Sequence, residues 1–322
     1  MKPTMTAGIS AAPGLPTVSV VVPTFQRRER LAGLIDPILD DPATSELVVV
    51  VDGSTDGSIE FLRERARECA TLVPVLVENR GEAAARLEGV RRARGELIVL
   101  LDDDVAPQPG LVGAHAARHA GEEDLLLVGY MPVAESDSAA VRHYSAAYEA
   151  HVGRWRSGAQ SIIGTLWAGN LSLRRGACLQ VAALPGGSRY DYHADRVFGF
   201  DCEAVGLRAA FEPACVAMHH YERSLTGLAR DARRQGDALV RLAREYPRRA
   251  APLQRDAFTR YLPSWLAAAV ELARRPRADT LLRAVVRAAA ELLDGRATGL
   301  AVKGADLLAI LERQRGAIEA SR

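Results

Sequence analysis

Residues 97–111 read LIVLLDDDVAPQPGL, five apolar side chains running straight into three consecutive aspartates. Leu97–Leu101 is apolar on both faces, the pattern of a strand buried inside a parallel sheet. Acids at the tip of a buried strand contribute little to stability, so Asp102, Asp103 and Asp104 read as a site. In extended chain alternate side chains share a face, which lets Asp102 and Asp104 point together while Asp103 points away. Two carboxylates that close repel each other unless a cation or strong donors compensate them. Hard oxygen ligands suit Mg2+ and Mn2+, ions that commonly share their coordination with phosphate groups. The alternative is an acidic turn closing the strand, since VAPQPG is turn-like.

Three earlier runs have the same character: VSVVV (18–22), LVVVV (47–51) and VPVLV (73–77). Between them lie the helical patterns RRERLAGLIDPILD, GSIEFLRERARECA and GEAAARLEGVRRARG. This alternation predicts βαβ units with right-handed crossovers, continued by a further strand at LLLVGY (125–130). The strands end in Pro23-Thr24, Asp52-Gly53, Glu78-Asn79 and the acid triplet. Ligands of open α/β sheets sit beyond the carboxyl ends of the strands, so these residues are expected along one edge. The stretch 132–221 is less regular, with GNLSLRRGACL reading as a strand entering a helix. From Ser224 the pattern is helical with arginine-rich faces, through LTGLARDARRQGDALVRLAREY, YLPSWLAAAVELARR, TLLRAVVRAAAELL and ADLLAILERQRGAIEA.

The 322 residues carry a net charge of +1, which gives no support for nucleic acid as a partner. Cys69, Cys178, Cys202 and Cys215 are scattered, without a CxxC pair or metal-ligand spacing, and a reducing cytoplasm is the expected setting. The N-terminal MKPTMTAGISAAPGLPTVSV lacks a continuous apolar core and reads as a flexible tail. No run approaches the length of a membrane span.

Five stretches, in order between Val18 and Ser224, resemble the motifs of family 2 glycosyltransferases. They are PTFQRRERL, VDGSTDGS, NRGEAAARLEGVRRARGELIVLLDDD, GNLSLRR and GFDCEAVGLR. The resemblance implies an α/β fold of the GT-A type, a Rossmann-like nucleotide-diphospho-sugar transferase with a mixed sheet flanked by helices and a helical C-terminal region. It implies a tail over 1–16, a catalytic domain over 17–223 and the helical region over 224–322. Within the catalytic domain, 17–131 would bind nucleotide and 132–223 the acceptor.

The implied reaction is inverting transfer of a hexosyl or N-acetylhexosaminyl group from a nucleotide-diphosphate sugar, UDP-linked by preference. The acceptor would be a small molecule, a lipid-linked carrier or a glycan. Pro23, Thr24, Phe25 and Arg27 fall where the family lines its nucleotide pocket, with Gln26 replacing the usual asparagine. Asp52 and Gly53 fall beside base and ribose, Val51 standing where many relatives carry a second acid. Gly81 and Arg86 fall near the diphosphate, where a guanidinium suits phosphate. Asp102 is assigned to the sugar nucleotide and Asp103 an auxiliary role, while Asp104 takes a Mn2+ or Mg2+ ion that His219, or its neighbour His220, completes. Trp167 and Asn170 fall in the sugar and acceptor pocket.

In GFDCEAVGLR the usual position of the general base is Cys202, a poor base for a sugar hydroxyl, which leaves Asp201 or Glu203 for that task, Asp201 preferred. The displaced acid also motivates a rival reading, a nucleotide-sugar-binding scaffold without turnover. A haloacid-dehalogenase-type phosphatase would share LIVLLDDDV but needs a downstream lysine, for which Lys303 is the only candidate. The arginine-rich helices suit a face packed on the catalytic domain, a homodimer contact or peripheral attachment at the inner membrane face.

Overall fold

A computed structural model describes residues 14–184, 192–249, 276–295 and 299–321. The tail expected over 1–16 therefore lies mostly outside the described residues, and the helix expected at YLPSWLAAAVELARR lies wholly outside them. The chain divides into two compact units. The first comprises residues up to Pro132 together with Gly158–Ser188 and Asp195–His220, and the second Val133–Ser157, Arg189–Ala194 and the chain from Tyr221.

The first unit opens with the alternation the sequence predicts: β1 (Val18–Thr24), α1 (Leu31–Leu39), β2 (Thr44–Asp52), α2 (Ser58–Glu68), β3 (Leu72–Val77), α3 (Glu82–Arg92) and β4 (Leu97–Leu101). There follow β5 (Val105–Pro107), α4 (Leu111–Arg118) and β6 (Leu125–Tyr130). After the residues assigned to the second unit come β7 (Asn170–Arg174), α6 (Arg175–Ala182), α7 (Ala194–Ala204) and β8 (Arg208–His219). The strands form one eight-stranded mixed sheet in the order β3-β2-β1-β4-β7-β6-β8-β5. β3, β2, β1 and β4 are mutually parallel, and Val20–Val22 and Val48–Val51 are fully buried. Each such valine contributes about 1.5–3 kcal/mol on burial, enough for a few to hold the strands together. α3 lies flush on them because Gly89 has no side chain: a Cβ there would come within 2.4 Å of Val21 Cγ1.

β6 forms as expected but does not lie beside β4; β7 enters between them, antiparallel to both. That insertion sets up the site. Leu101 at the end of β4 pairs with Asn170 at the start of β7, while β5 pairs antiparallel with β8 so that Val105 faces His219. The acid triplet between β4 and β5 is thus held at both ends.

The second unit is helical: α5 (Ala139–Arg156), α8 (Leu225–Glu245), α9 (Pro276–Leu293) and α10 (Gly299–Ala320). α8 and α10 cross backbone to backbone, since a Cβ on Gly236 would lie 1.9 Å from the Arg313 carbonyl oxygen. Leu281, Val285 and Leu292 of α9 are exposed. Among the described residues no helix is long and apolar enough to cross a membrane.

Candidate active site

At the tip of β4 the Asp102 backbone N–H donates to the Gly169 carbonyl at 3.0 Å, fixing the first acid against the entry to β7. Gly169 has φ +136°, and a Cβ there would sit 2.6 Å from Asp102 Oδ2, so glycine is what lets the two segments close. Asp103 turns the other way, toward β1. Its Oδ2 accepts from the Thr24 hydroxyl at 2.9 Å and the Phe25 N–H at 3.3 Å, and Arg27 Nε lies 3.9 Å from Oδ1. The middle acid, expected in an auxiliary ligand role, is engaged in tying down the loop that carries Phe25 and Arg27. Burial pushes its carboxyl up, against the Thr24 hydrogen bond and the Arg27 charge.

Asp104 is placed by the pairing of β5 with β8. Its carbonyl accepts from the His220 N–H at 2.8 Å, and the His219 N–H donates to the Pro132 carbonyl at 2.8 Å. Of the two histidines, His219 is buried and brings Nε2 to 3.4 Å from Asp104 Oδ1, while His220 is exposed. Burial pushes the Asp104 carboxyl up, yet His219, Arg27 and Arg30 outweigh it and hold the group below the usual carboxylate range. Asp104 Oδ1 is buried without a hydrogen-bond donor. A bare carboxylate oxygen beside an imidazole nitrogen suits a divalent cation such as Mn2+ or Mg2+. Among the described residues no group of three or more His, Cys, Asp or Glu side chains could hold a metal, and Asp104 with His219 makes a pair of potential ligands.

A second charged cluster adjoins the first. Arg86 on α3 forms an ion pair with Asp102 and another, over one helical turn, with Glu82. Asp195, in the first turn of α7, accepts from the Ala168 N–H at 3.0 Å and lies within the field of Arg86. Burial pushes Asp102 up to about 8 against the pull of Arg86, with Glu82, Asp104 and Asp195 adding to the rise. Asp195 is likewise pushed up by burial, with Arg86 and the Ala168 N–H opposing.

The loops after β1 and β2 are clipped together at the same edge. Gln26 has φ +56°, and its N–H donates to Ser54 Oγ at 2.9 Å while its amide donates to Thr55 Oγ1 at 3.0 Å. The Arg28 N–H donates to Asp56 at 2.8 Å. Asp52, buried at the end of β2, accepts from the Arg80 and Gly81 N–H groups, both at 2.9 Å. Those two backbone bonds engage both of its oxygens, in addition to the base and ribose contacts expected of it. Gly53 packs on Asn79, Pro23 is buried, and Phe25 stands 46% exposed at the rim.

The other expected site residues are carried by the entry to β7 and by α7. The Asn170 side chain is directed into the protein, donating to the Cys215 carbonyl at 2.9 Å and the Tyr130 carbonyl at 3.4 Å. Its oxygen accepts from His115 Nε2 at 2.9 Å, and His115 Nδ1 and His119 Nε2 meet the Ser172 hydroxyl at 2.7 and 2.9 Å. This buried network, which the sequence reading did not include, pushes His115 down to about 4 and His119 to about 3 because burial disfavours the charged ring. Trp167 is half-buried. Asp201 and Glu203 lie in the last two turns of α7, half-buried and exposed respectively, and Cys202 is fully buried with its thiol pushed far above its usual range by burial.

The helix containing them starts earlier than GFDCEAVGLR suggests. It begins at Ala194 and includes Gly199, which packs so closely that a Cβ there would fall 2.1 Å from the Ile163 carbonyl oxygen. An acid six residues upstream, Asp195, then occupies the first turn. The available signal was the apolar pair Val197 and Phe200, three positions apart on one helix face and spanning the glycine.

A mixed sheet whose parallel half ends in acids and arginines, joined to an antiparallel half that returns a histidine, is the GT-A architecture. The mannosyltransferase PcManGT from Pyrobaculum calidifontis, solved with GDP-Man and Mn2+, superimposes over 99% of this chain and 90% of its own with a TM-score of 0.59 at 19% identity. S. aureus TarS 1-349 with UDP-GlcNAc does so over 92% and 90% with a TM-score of 0.52 at 17% identity. Residues 19–178 match the model of glycosyl transferase family 2, and the chain belongs to that family.

Among curated relatives, an undecaprenyl-phosphate 4-deoxy-4-formamido-L-arabinose transferase of Aeromonas hydrophila is 36% identical over 98 residues, 29% of this chain and 30% of its own length. The uncharacterized glycosyltransferase YfnE of Bacillus subtilis is 30% identical over 113 residues, 34% of this chain and 29% of its own. The chain thus matches less than a third of the length of either relative.

Proposed function

We propose that the protein transfers a sugar from a nucleoside-diphosphate sugar to an acceptor hydroxyl, with inversion at the anomeric carbon. One observation carries this reading: Asp102, Asp104, Asp195, Arg86 and His219 gather at the carboxyl edge of β4. Asp104 and His219 would hold Mn2+ or Mg2+, and when bound such an ion supplies neutralising charge to the departing diphosphate. Arg86 would pair with the diphosphate, and Asp102 with the sugar nucleotide. Phe25, Arg27, Gly53 and Gly81 border the nucleotide end.

Opposite the leaving group, Asp195 would take the acceptor proton as the new carbon–oxygen bond forms. Burial raises its affinity for that proton, as a general base requires. With an acid available, the motive that Cys202 gave for a scaffold without turnover lapses.

The solved neighbours, with GDP-Man and UDP-GlcNAc, support a UDP- or GDP-linked hexosyl or N-acetylhexosaminyl donor. The undecaprenyl-phosphate transferases among its relatives support a lipid-linked acceptor. The exposed Leu281, Val285 and Leu292 are compatible with peripheral membrane contact.

A thermal-shift screen of UDP, GDP and dTDP with and without Mn2+ tests the core of this reading. One nucleotide should stabilise the protein in a Mn2+-dependent way, and the Mn2+-dependent part should vanish in Asp104→Ala. If no nucleotide shifts the transition, the proposed function is wrong.

A further inference from the structure

Glu82, in the first turn of α3, has no part in the scheme above. Its Oε1 lies 2.5 Å from Arg86 Nη2, and the same nitrogen is paired with Asp102 Oδ1. One nitrogen of the guanidinium is therefore shared by two carboxylates, while the buried Nε–H has no hydrogen-bond partner. Asp195 adds a third negative charge at longer range. Three carboxyl groups thus compete for one guanidinium at the point where a diphosphate would bind, and Glu82 is the exposed one.

The two direct partners are unequal. The Glu82 side chain is 64% exposed and that of Asp102 27%. A released Glu82 is taken up by water at little cost, whereas a released Asp102 leaves a part-buried charge uncompensated. Glutamate four residues before arginine is also the favourable order on a helix, so recapture is local.

We propose that Glu82 is the exchangeable partner of Arg86. It yields the guanidinium to an arriving diphosphate and retakes it as the nucleotide leaves, which lowers product affinity and speeds release. Glu82 thereby acts through Arg86 as a positioning residue. This inference rests on the reading that a nucleoside diphosphate binds at Arg86.

Calorimetric titration of the full chain with UDP and with GDP, in Mn2+, tests it on the parent, Glu82→Gln and Glu82→Asp. Glu82→Gln keeps the shape and removes the charge. It should tighten the bound nucleotide roughly three- to fivefold at low salt, the range a part-exposed ion pair can carry. The gain should shrink as salt screens the charges, and Glu82→Asp should stay near the parent. In turnover, kcat and the donor KM should fall together. A helix-stabilising role alone would weaken binding or leave it unchanged, and either result in Glu82→Gln overturns the proposal. If Glu82→Gln does not fold, Glu82→Ala must give the same tightening. A parent that binds neither UDP nor GDP overturns this inference together with the reading beneath it, whereas a parent that binds one while the variant does not tighten overturns this inference alone.

Discussion

Asp195→Asn is the substitution that most directly probes the proposed chemistry. Asparagine keeps the shape, and its side-chain oxygen still accepts from the Ala168 N–H now 3.0 Å from Asp195 Oδ2, so the start of α7 stays in place. What disappears is the capacity to take a proton. A positioned general base is worth about 10²–10⁴-fold in rate, and the loss should fall in that range. On this reading Asp201 does not substitute. Six residues further along a helix it lies about 9 Å along the axis and about 120° around it, on 1.5 Å and 100° per residue. Asp201→Asn and Glu203→Gln should therefore stay within about threefold of the parent, well outside the effect of losing a base.

The assay is initial-rate release of nucleoside diphosphate in the presence of acceptor, with the affinity for the product nucleotide measured separately. Asp195→Asn should lower kcat and leave that affinity close to the parent value. pH adds an independent readout. Burial raises the Asp195 pKa above its ordinary value, so on acidification the base is protonated early, and kcat/KM should drop as pH falls through that raised value. Asp195→Asn should flatten this acid limb. Asp195→Asn activity within tenfold of the parent, or an equal loss in Asp201→Asn, would refute the assignment.

Three further outcomes follow from the geometry. Gly169→Ala forces φ +136° on a residue with a Cβ that would meet Asp102 Oδ2 at 2.6 Å, so stability should fall by about 1–3 kcal/mol and nucleotide affinity with it, read by thermal unfolding and calorimetry. His115 and His119 are pushed down to about 4 and about 3 from 6.5, so between those values the unfolded chain binds protons the native state refuses. Their stabilisation is complete above about pH 6.5 and is lost on acidification at up to about 1.4 kcal/mol per pH unit for each histidine. Urea midpoints at pH 7 and pH 5 should show it, and a folded His119→Asn should have a shallower slope; equal midpoints in the parent would contradict the buried neutral pair. Asp104→Asn removes a negative charge and a metal ligand together, so Mn2+ affinity should fall by at least about tenfold while metal-free nucleotide affinity improves, a crossover that titration in Mn2+ and in chelator detects.

The parallel half of the sheet was legible because its strands are continuous valine and leucine runs separated by helical periods, signals that survive without tertiary information. The sheet order was not. Nothing local in LLLVGY says that β7 will enter between it and β4, because antiparallel insertion is decided by which edge the returning chain can reach. The same limit governs the site. Asp102 and Asp104 were found because a strand announces its own tip, and both lie at that edge. Asp103 and Asn170 are of the right residue types, yet their polar atoms are engaged by Thr24 and the Phe25 N–H, and by His115 and two backbone carbonyls, partners 40 to 79 positions away in sequence. Asp195, the proposed base, lies outside the quoted motifs for a different reason. Gly199 is a packing contact inside α7, and the helix runs back over it to Ala194, ahead of the GFDCEAVGLR motif.

The distribution of charge explains why the acids sit on different elements. Asp102, Asp104, Asp195 and Glu82 come from the β4–β5 turn, α7 and α3, so no single loop must hold their mutual repulsion. Three partners check them: Arg86 for both Asp102 and Glu82, His219 for Asp104, and the Ala168 N–H for Asp195. Asp102, Asp104 and Asp195 are half-buried and Glu82 is exposed, so none is an uncompensated charge in the core, which would cost several kcal/mol. An anionic donor meets these acids unless positive charge comes with it. A divalent ion at Asp104 would lower the barrier from one side, and release of Glu82 from Arg86 would do so from the other. The two devices act on the same phosphate charge but through different residues, so Asp104→Asn and Glu82→Gln should differ in their response to chelator, although both remove one negative charge.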